Sequence, residues 1–421
     1  MNAQVESFSR PALPPVIGNC FPGDIRPSKR FKTREEFIAA ARELVPLLKA
    51  NAAKANEIRR PVDEVVKAIG EAGLTGLLRP KMFGGAGLEI SDMAAVAGVL
   101  AEGCPSTAWD YDVWEAHNWI IGMLPEAGQR DVFGDGDFVL CCGVSNPTRA
   151  KARAVDGGYM LSGRWSFGSG STHANWASLG AIIEGRVVDG RPESRFMLVP
   201  RSAFEVLDTW HVKGLRGTGT HDIYIEDEVF VPEHRTLTRA QLVSGNTPGA
   251  EMHDSASYKL PLLPAVHLVT GAPAIGATKA MIAEFKNWTS KRVHITGQKQ
   301  IEMAAPTIRL ATALVEIEAA ELLLQHTLKD LEAEVRAGRP LTMEARAKAR
   351  MIAGYVPDLC KEIVSTLVAG SGVGVMTESN PLTTGLMDVT MMSLHQSTEY
   401  DRGSENYGRV VLGLPPSNPV I

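Results

Sequence analysis

Two histidines and one glycine-rich aromatic run hold most of the chemistry this sequence could perform. His395 lies in Met391-Met392-Ser393-Leu394-His395-Gln396-Ser397-Thr398, and His117 lies on a largely apolar segment from Trp114 to Leu124. An imidazole with an ordinary pKa of about 6.5 takes or gives a proton near neutrality. A lone histidine among apolar residues is nonetheless more often a hydrogen-bonded core residue than a catalyst. The run Arg164-Trp165-Ser166-Phe167-Gly168-Ser169-Gly170-Ser171-Thr172-His173-Ala174-Asn175-Trp176 has two readings. Rings, small residues and hydroxyls leaving a strand offer a flat heterocycle stacking area, close backbone approach and a few fixed hydrogen bonds. A sheet edge turning through glycines, with its tryptophans in the core, accounts for the same residues.

Other chemistries find less support. His173, His211, His221, His234, His253, His267, His294 and His326 show no paired ligand spacing, so no metal site is expected. The five cysteines, Cys20, Cys104, Cys141, Cys142 and Cys360, contain no CxxC, which argues against a disulfide framework. Gly370-Ser371-Gly372-Val373-Gly374 resembles a dinucleotide loop only in its glycines. A helical pattern precedes it and Asn380-Pro381 follows, so it reads as a loop between helices. A formal net charge of -5 gives no attraction to nucleic acid or anionic lipid. No apolar run approaches the length of a bilayer span. Met1–Arg30 is proline-rich and polar, without the apolar centre of a signal peptide. A cytoplasmic chain without a nucleic-acid or membrane partner is therefore expected.

The elements that must position these residues fall into three blocks, an α+β arrangement with domains at 1–137, 138–240 and 241–421. In the first, Val62, Val65, Val66 and Ile69 recur at helical spacing after Pro61, and Ser91 is a good N-cap for a helix through Met93, Val96, Val99 and Leu100. Pro80–Gly87 is a glycine-rich loop between them. In the second block, Asp156-Gly157-Gly158 and Val188-Asp189-Gly190-Arg191 are turns, and Ile223 and Ile225 alternate with Tyr224 and Glu226 as in a half-buried strand. Thr236–Lys259 reads as a polar linker or mobile lid. In the third, Ile308, Leu314, Ile317, Leu324, Leu328, Leu331 and Val335 mark a long amphipathic helix over Pro306–Gly338, with two further helices at Thr342–Met351 and Pro357–Val368.

Taken in order, these features resemble the acyl-CoA dehydrogenase superfamily along nearly the whole chain. The resemblance rests on Arg60-Pro61 through Leu77, on Pro80 and Phe83-Gly84-Gly85, and on Cys142-Gly143-Val144-Ser145-Asn146-Pro147. It continues through Gly158-Tyr159 to Trp165 and Ile225–Pro232. It implies an N-terminal helical domain, a central β-barrel-like domain and a C-terminal four-helix-bundle-like domain. Dehydrogenases of the superfamily carry a glutamate, commonly about eight residues after an Arg-Asp pair, that removes a proton beside a thioester carbonyl. Here Met387-Asp388 is followed by His395-Gln396-Ser397-Thr398, and the glutamate slot holds Gln396, which cannot act as a base. Trp165–Phe167, Ser169-Gly170, His173 and Trp176, then His395, Asp401, Tyr407-Gly408 and Leu412-Gly413, resemble instead the two-component flavin monooxygenases of the same fold.

That branch implies reduced FMN or FAD delivered by a separate NAD(P)H-dependent flavin reductase. It also implies dioxygen as co-substrate, a flavin hydroperoxide, and hydroxylation of a small aromatic, phenolic substrate. On the same resemblance, His395, His117 and Ser169 are the expected catalytic residues. Ser145, Trp165, Phe167, Ser169, Arg292 and Thr398 are expected to hold the flavin, although the aromatic-glycine pair usual after the arginine is replaced by Ile295-Thr296-Gly297. A homotetramer is expected, with one subunit completing another's flavin site. Two alternatives remain: an acyl-CoA dehydrogenase or oxidase with a displaced glutamate, and an N-oxygenase of an amine, for which Asp110, Asp112 and Glu115 would serve. Trp114, Trp119, Leu260 and Leu262 are expected to line an apolar pocket.

Overall fold

The computed structural model describes residues 13–134, 138–147 and 149–417. The expected first boundary, between 137 and 138, abuts residues 135–137, which lie outside the described residues, as do 1–12 at the start of the proline-rich segment. A short strand, β1 (Val16–Ile17), precedes the helices α1 (Arg34–Ile58), α2 (Asp63–Glu71), α3 (Ile90–Ala101), α4 (Pro105–Gly122) and α5 (Glu126–Phe133). Thr33 opens α1 through a capping box with Glu36, satisfying two backbone donors at once. Ser91 is not the cap of α3. Glu89 caps it, reciprocated by Asp92, while Ser91 lies buried inside the first turn and donates its N–H and hydroxyl to Glu332, both at 2.8 Å.

The central block holds β2 (Cys141–Val144), β3 (Ala150–Val155), β4 (Gly158–Gly168), β5 (Trp176–Val188), β6 (Arg191–Pro200), β7 (Glu205–Leu207), β8 (His221–Pro232) and β9 (Thr236–Thr238). The strands run in the order β1-β7-β8-β4-β3-β5-β6-β9, with β2 added to β5. Positive φ at both Asp189 (49°) and Gly190 (72°) matches the twist of the β5–β6 hairpin. Leu161, Trp165, Ile223 and Ile225 form part of this domain's own core.

Thr236–Lys259 is neither linker nor lid. β9 pairs with β6, α6 (Arg239–Ser244) follows, and Tyr258 is 1% exposed with its hydroxyl donating to the Leu78 carbonyl. Several of its polar residues, among them Thr238, Gln241, Ser255 and Ser257, are spent on internal hydrogen bonds, which explains why composition misleads there. The C-terminal block is helical: α7 (Leu262–Val269), α8 (Ala272–Lys291), α9 (Ala304–Arg336), α10 (Met343–Ala369), α11 (Pro381–Ser393) and α12 (Tyr400–Val411). The two helices expected around Pro357 are the single α10. Pro357 removes one internal bond, but Ile352, Ala353, Val356, Cys360 and Ile363 are buried on both sides of it, and packing carries the helix through. Ile308 and Leu314, expected on the buried stripe of α9, are exposed, as are Val315 and Leu322.

Helices before and after the sheet share one continuous apolar cluster. Glu89 pins them together, accepting from Ser255 and Ser257 hydroxyls at 2.8 and 2.6 Å, from the Ala256 and Ser257 N–H groups, and from Arg336 at 2.6 Å. These donors hold its carboxyl below the ordinary 4.5 against the opposing effect of burial. Its contribution is therefore complete above pH 4.5 and is lost as pH falls through the depressed value. Glu89→Ala is expected to cost about 2–4 kcal/mol in denaturant unfolding at neutral pH, since it strands several buried donors. A cost that stayed constant down to pH 2 would contradict this account.

Candidate functional site

α4 is buried nearly all round, which a helix inside a large core requires. Two of its side chains face chemistry. The indole N–H of Trp109 donates to Oγ of Ser169 at 3.1 Å, where β4 ends. The same ring meets His395 edge-on, with centroids 5.2 Å apart and planes at 72°. Trp109 thus joins the aromatic run of the β-domain to the turn after α11. Trp109 lies on the same helix as His117, eight residues earlier, and nothing local in the sequence marks it.

His395 caps the short turn Gln396–Thr398, and its Nδ1 accepts from the Ser397 N–H at 3.2 Å. The neutral ring therefore carries its proton on Nε2, which has no hydrogen-bond partner among the described residues. Ser397 Oγ lies 2.6 Å from Nδ1 and 3.1 Å from Oγ1 of Thr270. Arg350 fixes the turn by donating to the carbonyls of Ser397 (2.8 Å) and Gln396 (2.9 Å). The imidazole keeps accessible surface, yet surrounding atoms and then the Arg350 charge push its pKa down to about 4. A second imidazole, His267 on α7, feels the same Arg350 and is pushed down to about 3, mainly by burial.

His117 has the opposite polarity. Its Nδ1–H donates to the Val113 carbonyl at 2.7 Å, which leaves Nε2 as a lone-pair acceptor, and burial lowers its pKa. Nε2 points at β2, where a Cβ on Gly143 would sit 1.9 Å from it; only glycine admits the ring. Eight residues of helix put His117 about 12 Å from Trp109 along the axis. Ser145, just past β2, is exposed.

The aromatic run combines both of its readings. Trp165, expected beside the flavin, is 1% exposed, packs in the β-domain core and donates to the Gly180 carbonyl at 2.8 Å. Phe167 would share its face under strict alternation. A register shift between Trp165 and Gly168, with Phe167 at φ 72°, turns that ring outward instead, 68% exposed and edge-on to Trp210. Such backbone strain costs about 1–3 kcal/mol and concentrates at functional sites. Gly170, at φ 68°, follows, and a Cβ there would lie 2.4 Å from Nε1 of Trp114. Trp114, Trp119 and Leu260 are fully buried and Leu262 nearly so, which makes them core and not pocket lining.

Among the described residues, Cys20, Asp63 and His173 bring ligand atoms within 4.8 Å of one another. Arg60 already supplies the cation there: its guanidinium pairs with Asp63 and lies 3.5 Å from Nε2 of His173. His173 donates to Asp63 at 2.8 Å, away from Ser169. Desolvation raises the acids of α4, Asp110 well above its ordinary range, Asp112 to about 8 and Glu115 to about 7.

The family models described as "Acyl-CoA dehydrogenase, N-terminal domain" and "Acyl-CoA dehydrogenase, C-terminal domain" match residues 32–132 and 268–400. Across 394 residues the chain is 33% identical to the pigment production hydroxylase of a Rhodococcus species, covering 92% of this chain and 99% of that protein. The chain belongs to the acyl-CoA dehydrogenase superfamily. Within it, the chain sits in the flavin-dependent monooxygenase branch. It is 31% identical to the FADH(2)-dependent resorcinol hydroxylase, oxygenase component, of a Rhizobium species, over 88% of this chain and 92% of that one. XiaF from a Streptomyces species, solved with FADH2 and glycerol, superposes with a TM-score of 0.83 at 27% identity, over 92% and 98% of the two chains.

The residues of this superfamily member fit a flavin. An outward-turned Phe167 offers a stacking face beside the Ser169 hydroxyl, while Gly168 and Gly170 admit the Ile223 side chain and the Trp114 ring. Thr398 is fully buried, with its hydroxyl donating to the Met392 and His395 carbonyls, so its side chain is already committed. Arg292, at the end of α8, donates to the Ser371 carbonyl on the glycine loop, and its remaining donors stay available. No contact within one chain joins it to Ser169 or Phe167 among the described residues.

A folded-state pKa below the ordinary 6.5 means that His395 contributes stability that is complete above pH 6.5 and lost as pH falls through about 4. Nitrogen-15 NMR is expected to find its ring neutral, with the proton on Nε2, at every pH above about 5. Titration near 6.5, or a proton on Nδ1, would contradict this assignment.

Proposed function

We propose that the chain is the oxygenase component of a two-component monooxygenase that hydroxylates a small phenolic compound. A separate NAD(P)H-dependent reductase would supply reduced FMN or FAD. The flavin brings two electrons and activates dioxygen; one oxygen atom enters a ring C–H bond and the other leaves as water. The observation that carries this reading is the neutral imidazole of His395, free at Nε2 and held edge-on to the Trp109 that binds Ser169.

The chain's own groups divide the proton work. To His117, whose Nε2 is an acceptor, falls the hydrogen of a phenolic hydroxyl, and to His395, whose Nε2–H is a donor, the steadying of an oxygen that gains charge. Ser169 would face the central ring of a bound flavin, with Phe167 and Ser145 beside it. The partners of Ser169 and His395 in the chain are Trp109, Thr220 and Ser397, none of them a carboxylate, which disfavours abstraction of a proton from a thioester. Burial favours the uncharged forms of Asp110 and Asp112, and Glu115 is committed to the Leu78 N–H and the Asn118 amide, which together disfavour an amine substrate. The exposed apolar residues Ile308, Leu314, Val315 and Leu322 of α9 support a homotetramer whose neighbouring subunits bring Arg292 toward the flavin phosphates.

The test couples the protein to a flavin reductase, NADH and isotopically labelled dioxygen, with panels of phenols, indoles and amines. Labelled hydroxylation of a phenol is expected, and a chain that only bleaches oxidised flavin with an acyl-CoA would overturn the reading. His395→Ala is expected to lower hydroxylation by about 100- to 10,000-fold while flavin oxidation continues, releasing hydrogen peroxide. In light scattering, paired Val315→Glu and Leu322→Glu substitutions are expected to dissociate the assembly. An unchanged mass would remove α9 from the interface.

A further inference from the structure

α7 leaves one narrow face incompletely covered. Leu262, Pro264, Ala265, Leu268 and Val269 are buried, while Leu263, Val266 and His267 are only partly so. Those three stand at i, i+3 and i+4, together on one side of the helix. Two aliphatic side chains and one imidazole thus form a short apolar wall carrying a single polar ring.

Hydrogen bonds tie this wall to His395. The Thr270 hydroxyl donates to the His267 carbonyl at 2.8 Å and lies 3.1 Å from Oγ of Ser397. That same Ser397 oxygen sits 2.6 Å from Nδ1 of His395. α7 also packs against α10, whose Arg350 holds the turn at Gln396 and Ser397. Burial, then the charges of Arg350 and His395, favour the neutral form of His267.

The ring has found no partner in the protein. Neither nitrogen of His267 is hydrogen-bonded among the described residues, and Nδ1 is sealed from solvent. A buried lone pair is easier to leave unmet than a buried N–H, which places the proton on Nε2. Among leucine, alanine and valine, an imidazole that bonds to nothing is a costly core residue. As a donor to a bound molecule it has a reason to be there. The donor is uncharged, and Arg350 turns its guanidinium to backbone carbonyls. A carboxylate leaving water needs an opposite charge; an ether, carbonyl or hydroxyl oxygen needs only one N–H.

We propose that His267 is a specificity-determining residue whose Nε2–H binds an uncharged oxygen substituent of the substrate, remote from the phenolic hydroxyl, against the aliphatic wall of Leu263 and Val266. The inference rests on the phenol-hydroxylation reading and narrows its substrate class to phenols bearing a second, uncharged oxygen.

Matched phenols test it by exchanging carbon for oxygen at constant shape: ethylphenol against methoxyphenol, and methylphenol against dihydroxybenzene, each substituted at the 3- and the 4-position. Binding is measured by anaerobic titration of the full-length protein with reduced flavin, and turnover with a reductase, NADH and dioxygen. Wild type is expected to bind the oxygen member of at least one pair about fivefold tighter or more. His267→Phe is expected to bring that ratio to about one by weakening the oxygen member, raising KM more than it lowers kcat. His267→Gln, whose amide N–H reaches the place of Nε2, is expected to restore the preference. His267→Leu, matching its aliphatic neighbours, decides the question should the phenylalanine variant fail to fold. A wild type indifferent to every pair, or a preference that survives in the phenylalanine or leucine variant, would overturn the proposal. So would tighter binding of hydroxybenzoates that depends on His267, which would make this a carboxylate subsite. Phenols hydroxylated without discrimination would sink the role of His267 alone, whereas a wild type that hydroxylates no phenol would sink the underlying reading as well.

Discussion

The site depends on a single indole. Trp109 spends its N–H on Ser169 and its ring edge on His395, and so fixes together one group from the central β-domain and one from the C-terminal helical block. A tryptophan suits this task because its large apolar body buries well while its one donor sets an orientation. α4 can offer that ring only because it is enclosed on nearly every side, by α3, by β2, by α8 and by the turn at Ser169-Gly170 that follows β4. The sheet and the two helical blocks can be regarded as the packing that holds α4 still.

The second constraint is polarity. His117 and His395 are both kept neutral by desolvation, but their backbone partners differ, so one presents a lone pair and the other an N–H. Neither role follows from the identity of the residue. A carbonyl four residues back on a helix orients His117; an N–H two residues ahead in a turn orients His395. Exchange of those local partners would exchange the roles, with the same amino acids in place.

Much of the frame was legible in the sequence because it depends on periodicity and turn chemistry. Val62, Val65, Val66 and Ile69, the Asp189-Gly190 turn and the alternation around Ile223 fall where the pattern places them. Where tertiary contacts override local signals, the reading failed. Ser91 looks like a cap until Glu89 and Glu332 are seen beside it, and Pro357 looks like a helix end until packing carries α10 across it. Thr236–Lys259 is polar yet satisfied internally. At the site, His395, His117 and Ser169 could be singled out, but the bulge that separates Trp165 from Phe167 could not, because it depends on pairing with β8. Trp109, Thr220 and Arg350 carry no local signal; their roles exist only across distances of tens to hundreds of residues.

The most direct test of the account is the yield of hydroxylated product per reduced flavin oxidised in Trp109→Phe. Phenylalanine keeps an aromatic edge near His395 and removes the donor to Ser169. The account predicts a lower yield with matching release of hydrogen peroxide, together with near wild-type thermal stability. A yield equal to that of wild type would contradict the claim that this indole holds the site together.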